Sequence, residues 1–333
     1  MPAEAAARAG GARAGPEGLD LVTFGELMTL LCAEPGRPLR SAKRFDRSVA
    51  GAEANVAIGL ARLGHSAGWF GRVGDDALGR GALDTLRAEG VDLSRATFDP
   101  LAPTGLLVRD VHTSRRIEVV YQRRASAGQR LTADDVDAAY VASARVLHVT
   151  GITPALGPDA AAAVDRAVRI ASDAGVAVSF DPNLRRRIWD DDDRARRTLG
   201  ELAARAQIVL AGLGEAELIS GERGAPAAAK WFLDHGVGYV AIKLGAAGAF
   251  VTDGEREVAA AGRQVHVVDP IGAGDAFAAG YLSAWLNGGD LASCAAKGNL
   301  VAAMSMTALG DFEGLPTEAE LGSFRAGNDE VER

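Results

Sequence analysis

Residues Ala144–Asn183 read ARVLHVTGITPALGPDAAAAVDRAVRIASDAGVAVSFDPN. Two short apolar runs, ARVLHVTG and VAVSFDPN, flank a segment from Pro158 to Ala174 whose apolar residues recur at helical spacing. Such a strand–helix–strand unit places continuous apolar strands in a parallel sheet and lays the helix over one face. The alternation extends both ways. Upstream come LDLVTFG (19–25), a helical pattern over Ala52–Leu63, SAGWFGRVG (66–74) and a helix over Leu78–Glu89; downstream come a helix over Asp191–Arg205, QIVLAG (207–212) and YVAIKLG (239–245). The expected fold is α/β with a doubly wound, mostly parallel sheet.

Composition narrows the function. The 333 residues are 48% hydrophobic, enough to bury one large α/β core. Net charge is −8 and Lys and Arg never gather on one face without interleaved acids, which excludes nucleic acid and anionic membrane as partners. No eighteen apolar residues run without a charge, so no transmembrane helix is expected. Cys32 and Cys294 sit in no CxxC or Cys/His cluster and read as reduced cysteines of a cytoplasmic protein. The five histidines are scattered, with no pair at metal-ligand spacing. Residues 1–18, rich in Ala, Gly and Arg, read as a disordered tail ahead of a domain over 19–320. The acids of Asp190–Asp193 are expected to open a helix and offset its positive end.

One region breaks the alternation. TGLLVRD (104–110), a polar turn HTS and RRIEVVYQR (115–123) read as a β-hairpin. With LMTLLC (27–32) and FDRSV (45–49), it is expected to form a small separate sheet, a lid drawn from about 27–49 and 104–123. Its apolar face needs a cover: substrate, the main domain or a second subunit in a lid-to-lid homodimer.

The chemistry concentrates in VVDPIGAGDAFAAGYLSAWL (267–286). A short strand-like segment runs into Gly272, Ala273, Gly274 and Asp275, and an Ala-rich helix follows. The glycines let the backbone turn tightly and approach a ligand closely. Unpaired amides of a first helical turn then point at one spot where the dipole favours negative charge, which makes an anion hole suited to phosphate. Asp275 in that turn is either a helix cap or a base that takes a proton from an attacking hydroxyl; phosphoryl transfer needs the anion hole and such a base in one place.

From about Leu19 to Pro316 the chain resembles the ribokinase-like (phosphofructokinase B) carbohydrate kinases, whose C-terminal signature is similar to DPIGAGDAFAAGYL. The resemblance implies ATP as phosphate donor with Mg²⁺, Asp275 as base, and Gly272, Ala273 and Gly274 as holders of the transferred phosphate. A second signature is similar to AGAEANVAIGLARLG (50–64), which implies that Gly51 packs its backbone against the sugar and that Asn55 donates to a sugar hydroxyl. IKLGAAGAF (242–250) resembles the nucleotide segment, with Lys243 ending a strand and Gly245 and Gly248 bounding a turn beneath the ATP phosphates; read alone it is equally a glycine hairpin. Asn299 falls where the family lines its adenine pocket. Glu215 matches an acid that acts on the nucleotide's Mg²⁺ through water, although the Asn of that element is Gly212 here.

Family members that bind ribose or fructose place an Asp just after the first strand, and this chain has FGELMTLL, with Glu26 but no Asp. AGAEANVA, VVYQRRASAG (119–128) and SFDPNLRRRIW (179–189) instead resemble the 2-keto-3-deoxygluconate kinase branch. That likeness implies a sugar acid held by Tyr121, Arg123 and Arg185, with Asp311 at its hydroxyl tail, because a desolvated carboxylate calls for paired guanidinium donors. Another lid tyrosine of that branch is Leu107 here, and with 32 arginines in the chain only motif position singles these out. Fructose and 5-dehydro-2-deoxygluconate are the alternative substrates, and a non-catalytic sugar-binding protein is the alternative class. The GxGxxG of a nicotinamide dehydrogenase after the first strand and the GxxxxGK[ST] of a P-loop kinase are both absent.

Overall fold

Short runs of Val, Leu, Ile and Ala, too apolar to face water on either side, build the centre of the molecule. The computed structural model describes residues 18–112, 117–189 and 191–326. The expected tail, apart from Gly18, and Asp190 of the acidic run lie outside them. Eight strands form one sheet in the order Glu257–Ala261, Gly248–Thr252, Tyr239–Lys243, Ile208–Gly212, Ala177–Asp181, Val146–Thr150, Leu21–Phe24, Ala67–Phe70. The last six are mutually parallel. The two at the first edge run antiparallel because only a four-residue turn separates Lys243 from Gly248, too short for a crossover.

Helices cover both faces. Ala52–Arg62 and Ala273–Leu286 share one core with Leu21, Trp69 and Val251, while Pro158–Ala174, Asp192–Ala203 and Ala225–Asp234 share the other with Phe24, Leu147 and Phe180. The βαβ helix spans Pro158–Ala174 as expected, opened by proline in its first turn and ended by Gly175 in the left-handed region at φ 71°. Asp191 caps the helix Asp192–Ala203 by accepting from the Arg194 amide, which is the role expected for that acidic run.

The lid is a second sheet in the order Phe45–Ala50, Met28–Ala33, Gly105–Arg109, Val119–Gln122, with the last two strands antiparallel as a hairpin requires. Thr113 and Ser114 of the expected turn lie outside the described residues. Met28, Leu30, Cys32 and Leu107 make its buried face, packed with Leu309 of the main domain. Phe45 and Val120 remain exposed.

Candidate active site

Asp275 lies in the first turn of the helix Ala273–Leu286, directly after the glycine turn. Gly272 adopts φ 82°, and a Cβ there would stand 2.1 Å from the Asp311 carbonyl oxygen, so both the backbone shape and the close approach require glycine. Gly274 is already helical, and its added Cβ would meet only the Lys243 Nζ at 3.6 Å. The strained position of the motif is therefore Gly272; Gly274 keeps a face open beside a cation. The amides of Gly272, Ala273 and Gly274 begin the helix, where its positive end favours an anion.

Two packed helices bring Asp275 one of its partners, and the DPN segment brings the other. Gly59 of Ala52–Arg62 faces Ala279 of Ala273–Leu286 so closely that a Cβ at Gly59 would lie 2.6 Å from the Ala279 Cβ. One turn earlier on each helix, Asn55 therefore reaches Asp275, its Nδ2 donating to the Asp275 Oδ2 at 2.9 Å. Asn183, held at φ 37° in the DPN segment, donates to the other oxygen at 3.2 Å. Asn55 was expected to donate to a sugar hydroxyl; here its amide nitrogen serves Asp275, and its buried Oδ1 has no partner among the described residues. Burial pushes the Asp275 carboxyl up to about 7; the Asn55 bond and the cations Arg185 and Lys243 oppose that rise, and Asp181 adds to it. A base poised near neutral pH suits proton abstraction better than capping.

On one side of Asp275 lies a cleft of about 690 Å³, lined by Gly272, Ala273, Gly274, Lys243, Gly245, Gly248, Glu215 and Asn299. Val265, Val267, Phe277, Ala302 and Met306 give it an apolar wall. Lys243 ends its strand in a 2.6 Å ion pair with Asp181. Burial lowers the affinity of this ammonium for its proton, but Asp181 and Glu215 more than offset that, so the net shift is upward and the lysine stays charged. Gly248 adopts φ 103°, and its added Cβ would meet the Ala260 carbonyl oxygen at 2.1 Å, which fixes glycine at this corner. Asn299 lines the cleft but spends its Nδ2 on the carbonyls of Ala260 and Ala261, pinning the edge strand. Glu215 accepts from the amides of Gly212 and Leu184 at 2.7 and 2.8 Å, so the carboxylate caps its own helix where the family's Asn is missing. An apolar wall together with a lysine and a helix N-terminus fits a nucleoside triphosphate. No group of three or more His, Cys, Asp or Glu that could hold a metal exists among the described residues. Mg²⁺ here would rest mainly on phosphate oxygens and water, with Glu215 and Asp181 as the nearby acids, which fits the ion's preference for a few carboxylates and retained waters.

On the other side is a smaller cavity of about 190 Å³, which shares Gly272, Ile271, Arg185 and Asp275 with the cleft. Gly51, Asn55, Tyr121, Arg123, Arg185 and Asp311 all border it. Gly51 is required by approach, since its added Cβ would meet the Glu26 carbonyl oxygen at 2.7 Å. Arg123 lies over the Tyr121 ring and forms a short ion pair with Glu26, which is 3% exposed. The expected carboxylate clamp thus already carries an internal counter-charge. Burial raises the Glu26 carboxyl and Arg123 opposes it. Asp311 is pushed up to about 7 by burial, against the pull of Arg109. Arg185 is exposed at the junction and borders both cavities.

The structure adds residues that the motifs did not single out, Asn183 and Asp181 of the DPN segment and Arg109, and gives Glu26 a partner in Arg123. Asn183 had a local signal, the DPN run beside an Arg-rich stretch; Arg109 had none, because its partners are 160 and 202 positions away.

Comparison with known proteins agrees with this fold. Residues 19–318 match the model of the pfkB family carbohydrate kinases. The 2-dehydro-3-deoxygluconokinase of Bacillus subtilis is 40% identical over 308 residues, covering 92% of this chain and 95% of that one. The solved 2-dehydro-3-deoxygluconokinase of Thermotoga maritima superposes with a TM-score of 0.87 at 26% identity, covering 93% of this chain and 99% of that one. A protein provisionally called ribokinase II from E. coli, in complex with ATP and Mg²⁺, gives 0.86 and 27% identity over 93% of this chain and all of its own.

Proposed function

Because the chain belongs to the pfkB family of carbohydrate kinases, we propose that it transfers the γ-phosphate of ATP to a primary hydroxyl of 2-keto-3-deoxygluconate, giving the 6-phosphate. The observation that carries this reading is the single carboxylate, Asp275, at the junction of a nucleotide-sized cleft and a small cavity lined by Tyr121, Arg123 and Arg185. The same sugar appears in the name of the B. subtilis relative, under its synonym 2-dehydro-3-deoxygluconate.

The residues divide the work. Asn55 and Asn183 fix the Asp275 carboxylate, which takes the proton from the sugar hydroxyl as that oxygen attacks phosphorus. The amides of Gly272, Ala273 and Gly274 receive the charge on the phosphoryl group in flight, with Lys243 beside Gly274. Glu215 would hold Mg²⁺ through water, and the ion would supply neutralisation of phosphate charge. Lys243, Gly245, Gly248 and Asn299 shape the nucleotide seat; Gly51, Tyr121, Arg123, Arg185 and Asp311 shape the sugar seat. Two guanidinium groups in a partly dry pocket favour an acid sugar over a neutral one.

The domain is taken as 19–320, and the enzyme as a cytoplasmic homodimer that clasps through its lids; the exposed Phe45 and Val120 on the lid support the dimer. A monomeric mass in solution would remove that part. The activity itself is tested by ADP release with ATP and a panel of 2-keto-3-deoxygluconate, 5-dehydro-2-deoxygluconate, fructose and ribose. Highest kcat/KM on the first supports the assignment, and preference for a neutral sugar overturns the acid clamp while leaving the kinase.

A further inference from the structure

Arg109 ends the lid strand Gly105–Arg109 and is 1% exposed, one of the largest fully buried side chains in the molecule. Its Nη2 donates to the Asp269 Oδ2 at 2.6 Å and to the Asp311 Oδ1 at 3.0 Å. Asp269 stands three residues before Gly272 and also accepts from the amides of Ile271 and Gly310, each at 3.2 Å. It therefore braces the turn that precedes the phosphate-binding amides. Asp311 lies across that turn, its carbonyl oxygen against Gly272, with its carboxyl bordering the sugar cavity. One guanidinium from the lid thus ties together the base of the phosphate turn and an acid of the sugar seat. Its Nε and Nη1 are buried without a partner among the described residues, and Arg109 itself borders the sugar cavity.

A buried cation between two carboxylates is costly to desolvate, and breaking such a set leaves uncompensated charge. Here the lid strand cannot leave the main domain without stripping Asp311 of its counter-charge. We infer that Arg109 is a positioning residue for the sugar: it fixes the Asp311 carboxylate and seats the lid on the phosphate turn. The inference rests on the sugar-kinase reading of the same cavity. The groups that act most on Asp311 are Arg109 from the lid strand and Asp269 and Asp275 from the phosphate turn; Glu313 and Cys32, the latter paired with Arg109 across the lid sheet, lie in the same field. Of these, only Arg109 holds the Asp311 proton affinity down.

The test uses the full-length enzyme and whichever sugar it phosphorylates best. In Arg109→Met the sugar KM is expected to rise at least about tenfold, the scale of a lost charge-assisted contact, with the ATP KM within about twofold of the parent. Asp311 then binds its proton more tightly, so the acid limb of kcat/KM moves up by about half a pH unit or more. Arg109→Lys, which keeps the charge but loses the planar fork, restores the limb and leaves a sugar KM raised roughly threefold to tenfold. A structural role alone would lower Tm and leave the KM values and the pH limb of the folded enzyme at parent values, and that result overturns the inference. If Arg109→Met does not fold, Arg109→Lys decides: a raised sugar KM with unchanged ATP KM supports it, and parent values for both refute it. A parent enzyme that phosphorylates no sugar removes the kinase reading and this inference together, whereas parent-like variants remove this inference alone.

Discussion

Asp275→Asn separates chemistry from scaffolding more cleanly than any other change at this site. The side chain keeps its shape, and its two neighbours can adapt. Asn183 can still donate to the new carbonyl oxygen, and Asn55, whose Oδ1 is unpartnered, can turn its amide over to accept from the new NH₂. Binding of ATP and sugar should therefore stay within a few-fold of the parent, while turnover drops by roughly 10²- to 10⁴-fold, the scale of a lost general base. Stability gives an independent readout. Burial raises the Asp275 carboxyl to about 7 from an ordinary 3.8. The folded state therefore holds this proton more tightly than the unfolded chain, and the stability it confers is complete below the unfolded value and lost as pH rises from about 4 to 7. At 1.36 kcal/mol per pH unit the loss at pH 8 is at most on the order of 4 kcal/mol, and asparagine, which has no charge to bury, escapes it. The variant should thus melt higher than the parent at pH 8 and converge with it near pH 4. In the parent, kcat/KM should fall below about pH 7 as the base is protonated. Coupled measurement of ADP release, with thermal melts at both pH values, checks all of this; turnover within a few-fold of the parent would make Asp275 a cap and refute the mechanism.

The glycine turn makes opposite demands at two positions. Gly272→Ala should unfold or strongly destabilise the turn, since its Cβ meets the Asp311 carbonyl oxygen at 2.1 Å, whereas Gly274→Ala should fold normally and lose ATP affinity because its Cβ stands in the phosphate space beside Lys243; melts and ATP KM distinguish them. Gly59→Ala should push apart the helices that meet at Ala279, only 2.6 Å from the added Cβ, and lower kcat at least severalfold by pulling Asn55 off Asp275, with little change in ATP KM. Arg123→Ala should raise KM for 2-keto-3-deoxygluconate by about 10- to 100-fold, reflecting a charge-assisted contact of roughly 1.5–3 kcal/mol, while a neutral sugar changes much less. Arg185→Ala should weaken the sugar acid too but also disturb phosphate, because it borders both cavities; equal effects on acid and neutral sugars in both variants would refute the clamp.

Two kinds of information lie behind these expectations. Local patterns along the chain were enough for the strand–helix alternation, the helix over 158–174, the four lid segments and the glycine turn leading into Asp275. Each is a local pattern: a periodicity, a cap, or a turn that only certain residues allow. The sequence also marked one side of the site through short motifs, because Gly272, Gly274 and Asp275 act within a single turn. Tertiary structure alone decided which side chains those residues meet. The Asn55 amide turned to Asp275, Arg123 to Glu26 and Asn299 to the edge-strand carbonyls, and the cation beside Asp311 proved to be Arg109. Those pairings join positions up to 220 apart, and they follow from the close approach of Gly59 to Ala279 and from the seat of the lid. Buried charges take the nearest partner that three-dimensional packing supplies, and spacing along the chain carries no record of that distance.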